Sequence, residues 1–187
     1  MSAAVTSKPA GFSAPAAAAI VAGVLGASAL LGRRNAPDRS HPRTRGWYKR
    51  LDKPAFTPPD AAFGAVWPTL ETGLAVGGYR LLRQPAGAQR SLALGLWLLN
   101  TGLIGGWTEL FFRKRQLGAS AVASGAMVAS GAGYVASAAK LDRPAAILGV
   151  PFVAWVGFAT VLAEQVWQRN SGTRRGQDAD PTQSAGA

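Results

Sequence analysis

The sequence has no cysteine and a single histidine, His41. That excludes a disulfide framework, a thiol nucleophile and a zinc cluster, each of which needs thiolates or several imidazoles brought together. His41 stands in a charged stretch and is expected to be solvated. Acidic residues are also scarce: nine Asp and Glu against 20 Lys and Arg leave a net charge of +11 over 187 residues. In a soluble protein such a balance would point to nucleic acid. The apolar residues argue otherwise, because the 48% hydrophobic content falls in blocks.

Five windows, roughly 15–32, 61–82, 91–112, 118–139 and 145–167, are nearly free of charge. Each is long enough to cross about 30 Å of hydrocarbon at about 1.5 Å per residue. The helices of a soluble bundle would carry polar residues at every third or fourth position, and these windows have almost none. The expectation is an all-α integral membrane bundle of five transmembrane helices over residues 15–170. The flanking segments 1–14 and 171–187, rich in small and polar residues, are expected to be disordered. The first window is followed by Arg33 and Arg34 and preceded by Lys8 alone, which reads as a retained helix rather than a cleaved signal.

The cations sort by loop. One side would hold eight in the 33–60 loop, three at Arg113, Lys114 and Arg115, and three at Arg169, Arg174 and Arg175. The other would hold six: Lys8, Arg80, Arg83, Arg90, Lys140 and Arg143. Because Lys and Arg accumulate on the cytoplasmic side, the long first loop and the C-terminus are expected to be cytosolic. The net charge then serves topology and attraction to anionic headgroups, and no nucleic-acid partner is expected. Small residues recur at Ala121, Gly125, Ala129, Gly133 and Ser137, with Gly73, Gly77, Gly102 and Gly106 on two other windows. Such stripes let helices approach closely, within one chain or between two copies of a homodimer.

Between the first two windows the chain reads WYKRLDKPAFTPPDAAFGAVWPTLE over residues 47–71. Pro54, Pro58 and Pro59 enforce an extended or turning backbone, and Trp47 and Tyr48 are types that settle at a membrane interface. Physics alone leaves two readings open, a lid over the mouth of the bundle and an interfacial anchor.

The residues Trp47, Tyr48, Leu51, Lys53, Pro54, Phe56, Pro58 and Pro59, followed by Phe63, Gly64, Val66 and Trp67, resemble the signature of the translocator protein family (TspO/MBR, tryptophan-rich sensory proteins). Further matches fall at Trp107 with Phe111 and Phe112, at Arg115 to Gly118, at Pro151 to Trp155, and at Phe158 to Leu162 with Trp167 and Asn170. The resemblance implies a five-helix bundle, often dimeric, that binds hydrophobic ligands: tetrapyrroles such as protoporphyrin, sterols in some members, and benzodiazepine-type drugs. It implies that the first loop closes the cytosolic mouth of the pocket. It also implies a mitochondrial outer membrane or other organelle membrane in a eukaryote and the cell envelope in a bacterium.

Helical spacing sets Phe63, Val66, Trp67 and Glu71 on one face and Trp155, Phe158, Ala159 and Leu162 on another, with Trp107 in the same leaflet. These nine are the expected ligand-binding residues. Indoles placed there could wall a flat aromatic ligand. The resemblance implies ligand contact at Phe63, Val66, Trp67, Trp107, Ala159 and Leu162. The chain also departs from the family pattern. An Asn on the third window is Ile104 here, with Asn100 one turn earlier as the candidate substitute; the fifth-window Asn is Ala163; a Tyr is Phe152; and a Pro-Pro pair is Thr108-Glu109. Glu164 and Gln165 replace an aromatic pair of animal members, which weakens the sterol reading. Glu71 stands where the family carries Tyr, and a carboxylate at that depth marks a site by default. Glu109 and Glu164 are expected in interfacial ion pairs with Arg113 and Arg169. The expected function is a membrane receptor or carrier for tetrapyrrole-like ligands, without cofactor or metal. The alternatives are a porphyrin-degrading enzyme of the same fold and a lipid-organising protein.

Overall fold

The computed structural model describes residues 10–177, with side chains to Ser171. The expected disordered tails fall mostly on residues outside that range. All regular structure among the described residues is helical: α1 (Ala14–Asn35), α2 (Pro42–Arg50), α3 (Asp60–Arg83), α4 (Ala88–Thr108), a π-helical turn (Glu109–Arg113), α5 (Leu117–Ala139) and α6 (Arg143–Gln177). The Ser13 hydroxyl caps α1 by accepting from the Ala16 N–H at 3.4 Å.

By length and composition three stretches could cross a membrane: Ala14–Asn35, Leu117–Ala139 and Arg143–Ser171. α3 and α4 are long enough, at 24 and 21 residues. They are less apolar, because α3 carries Thr69, Glu71, Thr72 and Arg80, and α4 carries Arg90, Asn100 and Thr101. The side chains are distributed inside out. Val122, Ile147 and Leu30 are 73%, 65% and 63% exposed, whereas Ser28, Asn100, Thr101, Ser120 and Ser124 are buried. That is the distribution of a bundle whose surroundings are as apolar as leucine and whose helices are joined by close approach and polar contacts.

Two features depart from the sequence reading. The first loop is not wholly extended, because α2 begins on Pro42, at a position where the missing N–H costs nothing. The prolines that forbid helix lie beyond it. The regular stripe on α5 is its packing face only at the end remote from the first loop, where Ser137 is buried and Gly133 lies against Leu96; Ala129 is exposed and Gly125 meets no neighbour. The buried face runs through Ser120, Ser124, Met127, Gly131 and Tyr134.

The five long helices close into a ring in the order α1, α3, α6, α5, α4 and back to α1. α3 and α4, consecutive in sequence, touch only lightly across it. They meet where the Trp97 indole N–H donates to the Leu74 carbonyl at 2.8 Å with its ring lying against Gly78. Nearby, Tyr134 lies in a notch between Gly77 and Gly149 and donates to the Ala145 carbonyl at 3.2 Å. These contacts pinch the ring shut in the half remote from the first loop. Asn100 belongs to this packing, since it accepts from Ser130 at 3.0 Å and donates to the Leu96 carbonyl at 2.8 Å.

At the same remote end Asp142 accepts from Arg80 at 2.8 Å, from Gln84 at 3.1 Å and from the Ala145 N–H at 2.8 Å, tying α3 to the start of α6. Burial disfavours its carboxylate, but the bonds from Arg80, the Ala145 N–H and Gln84 outweigh that and hold its pKa below the ordinary value. Its stabilisation is therefore present above the unfolded carboxyl pKa and lost as pH falls through the depressed native one. Asp142→Ala should cost about 2 kcal/mol, because charge-assisted bonds are lost while Arg80 can still reach solvent. Thermal unfolding in detergent should show a lower Tm at pH 7 and a smaller acid-side decline than in the parent; equal curves would leave the clasp without energetic weight.

Candidate functional site

In the half of the ring next to the first loop the interior is filled by aromatic rings. α4 ends by widening into the π turn, which adds a residue to the last turn and sets both Phe111 and Phe112 against Trp107 and Tyr48. Phe111 stacks on Trp107 with centroids 4.7 Å apart and 14° between planes, and Phe112 meets Trp107 edge-on at 5.9 Å. The Thr108-Glu109 pair that replaces Pro-Pro starts this turn. Glu109 pairs with Arg113 at 3.1 Å, as expected, and also accepts from Asn35 at 3.4 Å.

α2 lies across this end. Trp47 meets Phe111 edge-on at 5.8 Å, and Tyr48 meets Phe112 at 5.6 Å with Lys53 Nζ over the Tyr48 ring, 4.3 Å from its centroid. Burial, with the Asp60 charge adding, pushes the Tyr48 pKa up, so it stays a neutral phenol. Phe56 contacts Phe158 at 6.2 Å. The loop is held down by a two-way bond: the Asp52 N–H donates to Asn170 Oδ1 at 3.1 Å, and Asn170 Nδ2 donates to the Asp52 carbonyl at 2.9 Å. Arg169 pairs with Asp52 at 3.7 Å rather than with Glu164, whose partner is Gln168.

The expected site residues divide between two clusters. Val66, Trp67 and Trp155 pack against the main core; Phe63, Phe158 and buried Leu162 lie in the cluster under the loop; Trp107 belongs to both. Phe63 meets Trp155 edge-on at 5.7 Å, and Trp155 meets Phe158 at 5.4 Å, so α3 and α6 present one continuous aromatic wall. Trp107 has spent its N–H on the Ser120 carbonyl at 2.9 Å. Trp155 has not: its Nε1 is buried with no hydrogen-bond partner. Glu71 is half-buried one turn beyond Trp67, with no hydrogen-bond partner among the described residues. Ala159 is half-buried and belongs to neither cluster. Sequence reasoning did not count Phe56 and Phe111 as part of this wall, although the four-residue spacing of Trp107 and Phe111 signals their contact; it also missed the Asp52–Asn170 latch, which no periodicity marks.

A family model described as TspO/MBR family matches residues 16–168. The chain is 33% identical over 136 residues to a protein of Ovis aries named "Translocator protein", covering 70% of this chain and 79% of that one. It is 33% identical over 135 residues to the Homo sapiens protein of the same name, covering 70% and 79%. To a protein of Rhodobacter capsulatus named "Protein CrtK" it is 26% identical over 129 residues, covering 68% and 81%.

Proposed function

The chain belongs to the TspO/MBR family of membrane proteins, and from that premise we propose that it is a five-span receptor or carrier that binds a tetrapyrrole or similar flat hydrophobic ligand inside the ring. The observation that carries this reading is the buried, partnerless N–H of Trp155 in the wall formed with Phe63 and Phe158. A buried donor left unpaired costs about 1–3 kcal/mol, and an acceptor on a ligand would recover it. Ring closure at the remote end by Trp97 and Tyr134 leaves entry on the side covered by α2 and latched by Asn170. In this reading Phe63, Val66, Trp67, Trp107, Trp155, Phe158, Ala159 and Leu162 surround the ligand, and Glu71 offers it a polar contact. Residues 15–170 form the membrane domain, with the first loop and the C-terminus in the cytosol.

Purified protein mixed with protoporphyrin tests the reading. Reversible quenching of tryptophan fluorescence with an unchanged pigment spectrum is the expected result. An irreversible change in pigment absorption would turn the assignment to degradation, and no quenching would sink ligand binding of this class. For topology, cysteines introduced at Ser2 and Ser184 should react with an impermeant thiol reagent from opposite sides, Ser184→Cys from the cytosol. Labelling of both from one side would rule out an odd number of spans.

A further inference from the structure

Outside the first loop, the C-terminal end of α2, the turn between α4 and α5, and the end of α6 enclose a half-open void of about 1050 Å³, with Trp47 standing between it and Phe111 of the aromatic wall. Trp47, Leu117 and Trp167 give it apolar sides, and Arg50, Lys114 and Arg115 give it a cationic rim. The acids nearest to hand are already engaged, Asp52 with Arg169 and Glu109 with Arg113. Among the described residues the three rim cations have no salt-bridge partner.

The backbone adds an independent sign. Arg115 has φ +54°, the left-handed region in which glycine ordinarily ends a helix, while the Lys114 N–H closes on Glu109 and the Gln116 N–H on Leu110, both at 2.9 Å. A long cationic side chain is held in a strained position that glycine would relax, and its guanidinium lies 5.2 Å from the centroid of the Trp47 ring. On the far wall Gly118 leaves room for the Trp167 indole to lie against the helix: a Cβ there would be 3.0 Å from the ring. Trp167 remains 43% exposed at the end of a helix apolar enough to span a membrane.

A void that is cationic at its rim and aromatic in its walls suits neither a purely apolar ligand nor a simple ion. We propose that it is a headgroup site for an anionic phospholipid of the adjoining leaflet, with the phosphate held by Arg50, Lys114 and Arg115 and the acyl chains leaving past Trp167. The site rests on the membrane placement of the chain and is independent of what the ring binds.

Native mass spectrometry of the full chain, released from micelles mixed with equal phosphatidylglycerol and phosphatidylcholine, tests it. The parent should retain phosphatidylglycerol preferentially, by about tenfold, and an Arg50→Gln/Lys114→Gln/Arg115→Gly variant should lose that preference while still quenching with protoporphyrin. Should the triple variant fail to fold, Arg115→Gly alone decides. It removes one cation and the backbone strain together, so it is expected to be at least as stable as the parent and to lose preference by about threefold. Equal retention of both lipids by the parent, or undiminished preference in the variants, overturns the site. Displacement of phosphatidylglycerol by inorganic phosphate at equal concentration would make it a soluble-anion site and also overturn the proposal.

Discussion

Gly78→Leu is expected to destabilise the bundle by about 3 kcal/mol or more. Any Cβ at Gly78 falls inside contact distance of the Trp97 indole, whose N–H bond to the Leu74 carbonyl fixes the crossing of α3 and α4. An overpacked core forces side chains off their rotamers and costs about 1–3 kcal/mol, and here a buried hydrogen bond is strained as well. Membrane helices held by close approach have no hydrophobic drive to restore the contact once separated. Thermal unfolding in detergent should show the drop, and Gly95→Leu, at a position with nothing within 4 Å, serves as the control. Equal stability of the two variants would mean that the crossing does not hold the ring.

The second large effect is on binding. Trp155→Ala should weaken protoporphyrin binding by about 1–3 kcal/mol, roughly 5- to 150-fold, since it removes both an aromatic wall and the unpartnered N–H. Trp155→Phe keeps a ring without the donor and should lose only the hydrogen-bond share, about 1 kcal/mol. Trp67→Ala should lose affinity on the scale of one stacked ring. Glu71→Leu should fold at least as stably as the parent, because a half-buried carboxyl group without a hydrogen-bond partner among the described residues is removed, and bind less tightly, with Glu71→Gln close to the parent. Titration by tryptophan quenching measures all five. Unchanged affinity in Trp67→Ala and Trp155→Ala together would move the ligand elsewhere, and a tight-binding Glu71→Leu variant would make Glu71 structural.

The long helices were legible because charge-free windows of about 20 residues have few uses other than crossing a bilayer. Their neighbours in space were not, because the short connection between α3 and α4 suggests adjacency, whereas the ring sets α1 between them through contacts made far apart in sequence, such as Ser28 to Thr101. α2 escaped notice since only the breakers Pro54, Pro58 and Pro59 were read in this loop, and the short polar stretch that Pro42 opens as a helix has no apolar periodicity to mark it. The packing face of α5 was read only in part for a different reason: Ala, Gly and Ser occupy so many of its positions that small-residue spacing fits several faces at once. In the site, the tryptophans were readable by type and by resemblance. The free N–H of Trp155 and the Asn170 latch were not, because both depend on what a particular atom meets, and the π turn that aims Phe111 has no sequence marker.

The order of the ring bears on how the chain is made. α1, α3 and α4 contact one another and can associate as soon as α4 has left the ribosome, but the gap between α3 and α5 is filled by α6, the last helix synthesised. Until it arrives, the notch over Gly77 lacks the Ala145 carbonyl, the Tyr134 hydroxyl has no acceptor and Asp142 has no Ala145 N–H to cap. A nascent chain arrested after α5 is therefore an open crescent with polar groups turned toward lipid. Quality-control proteases of the membrane should recognise such a product, so premature stops even late in the reading frame should behave as complete losses of protein rather than as shortened but working forms.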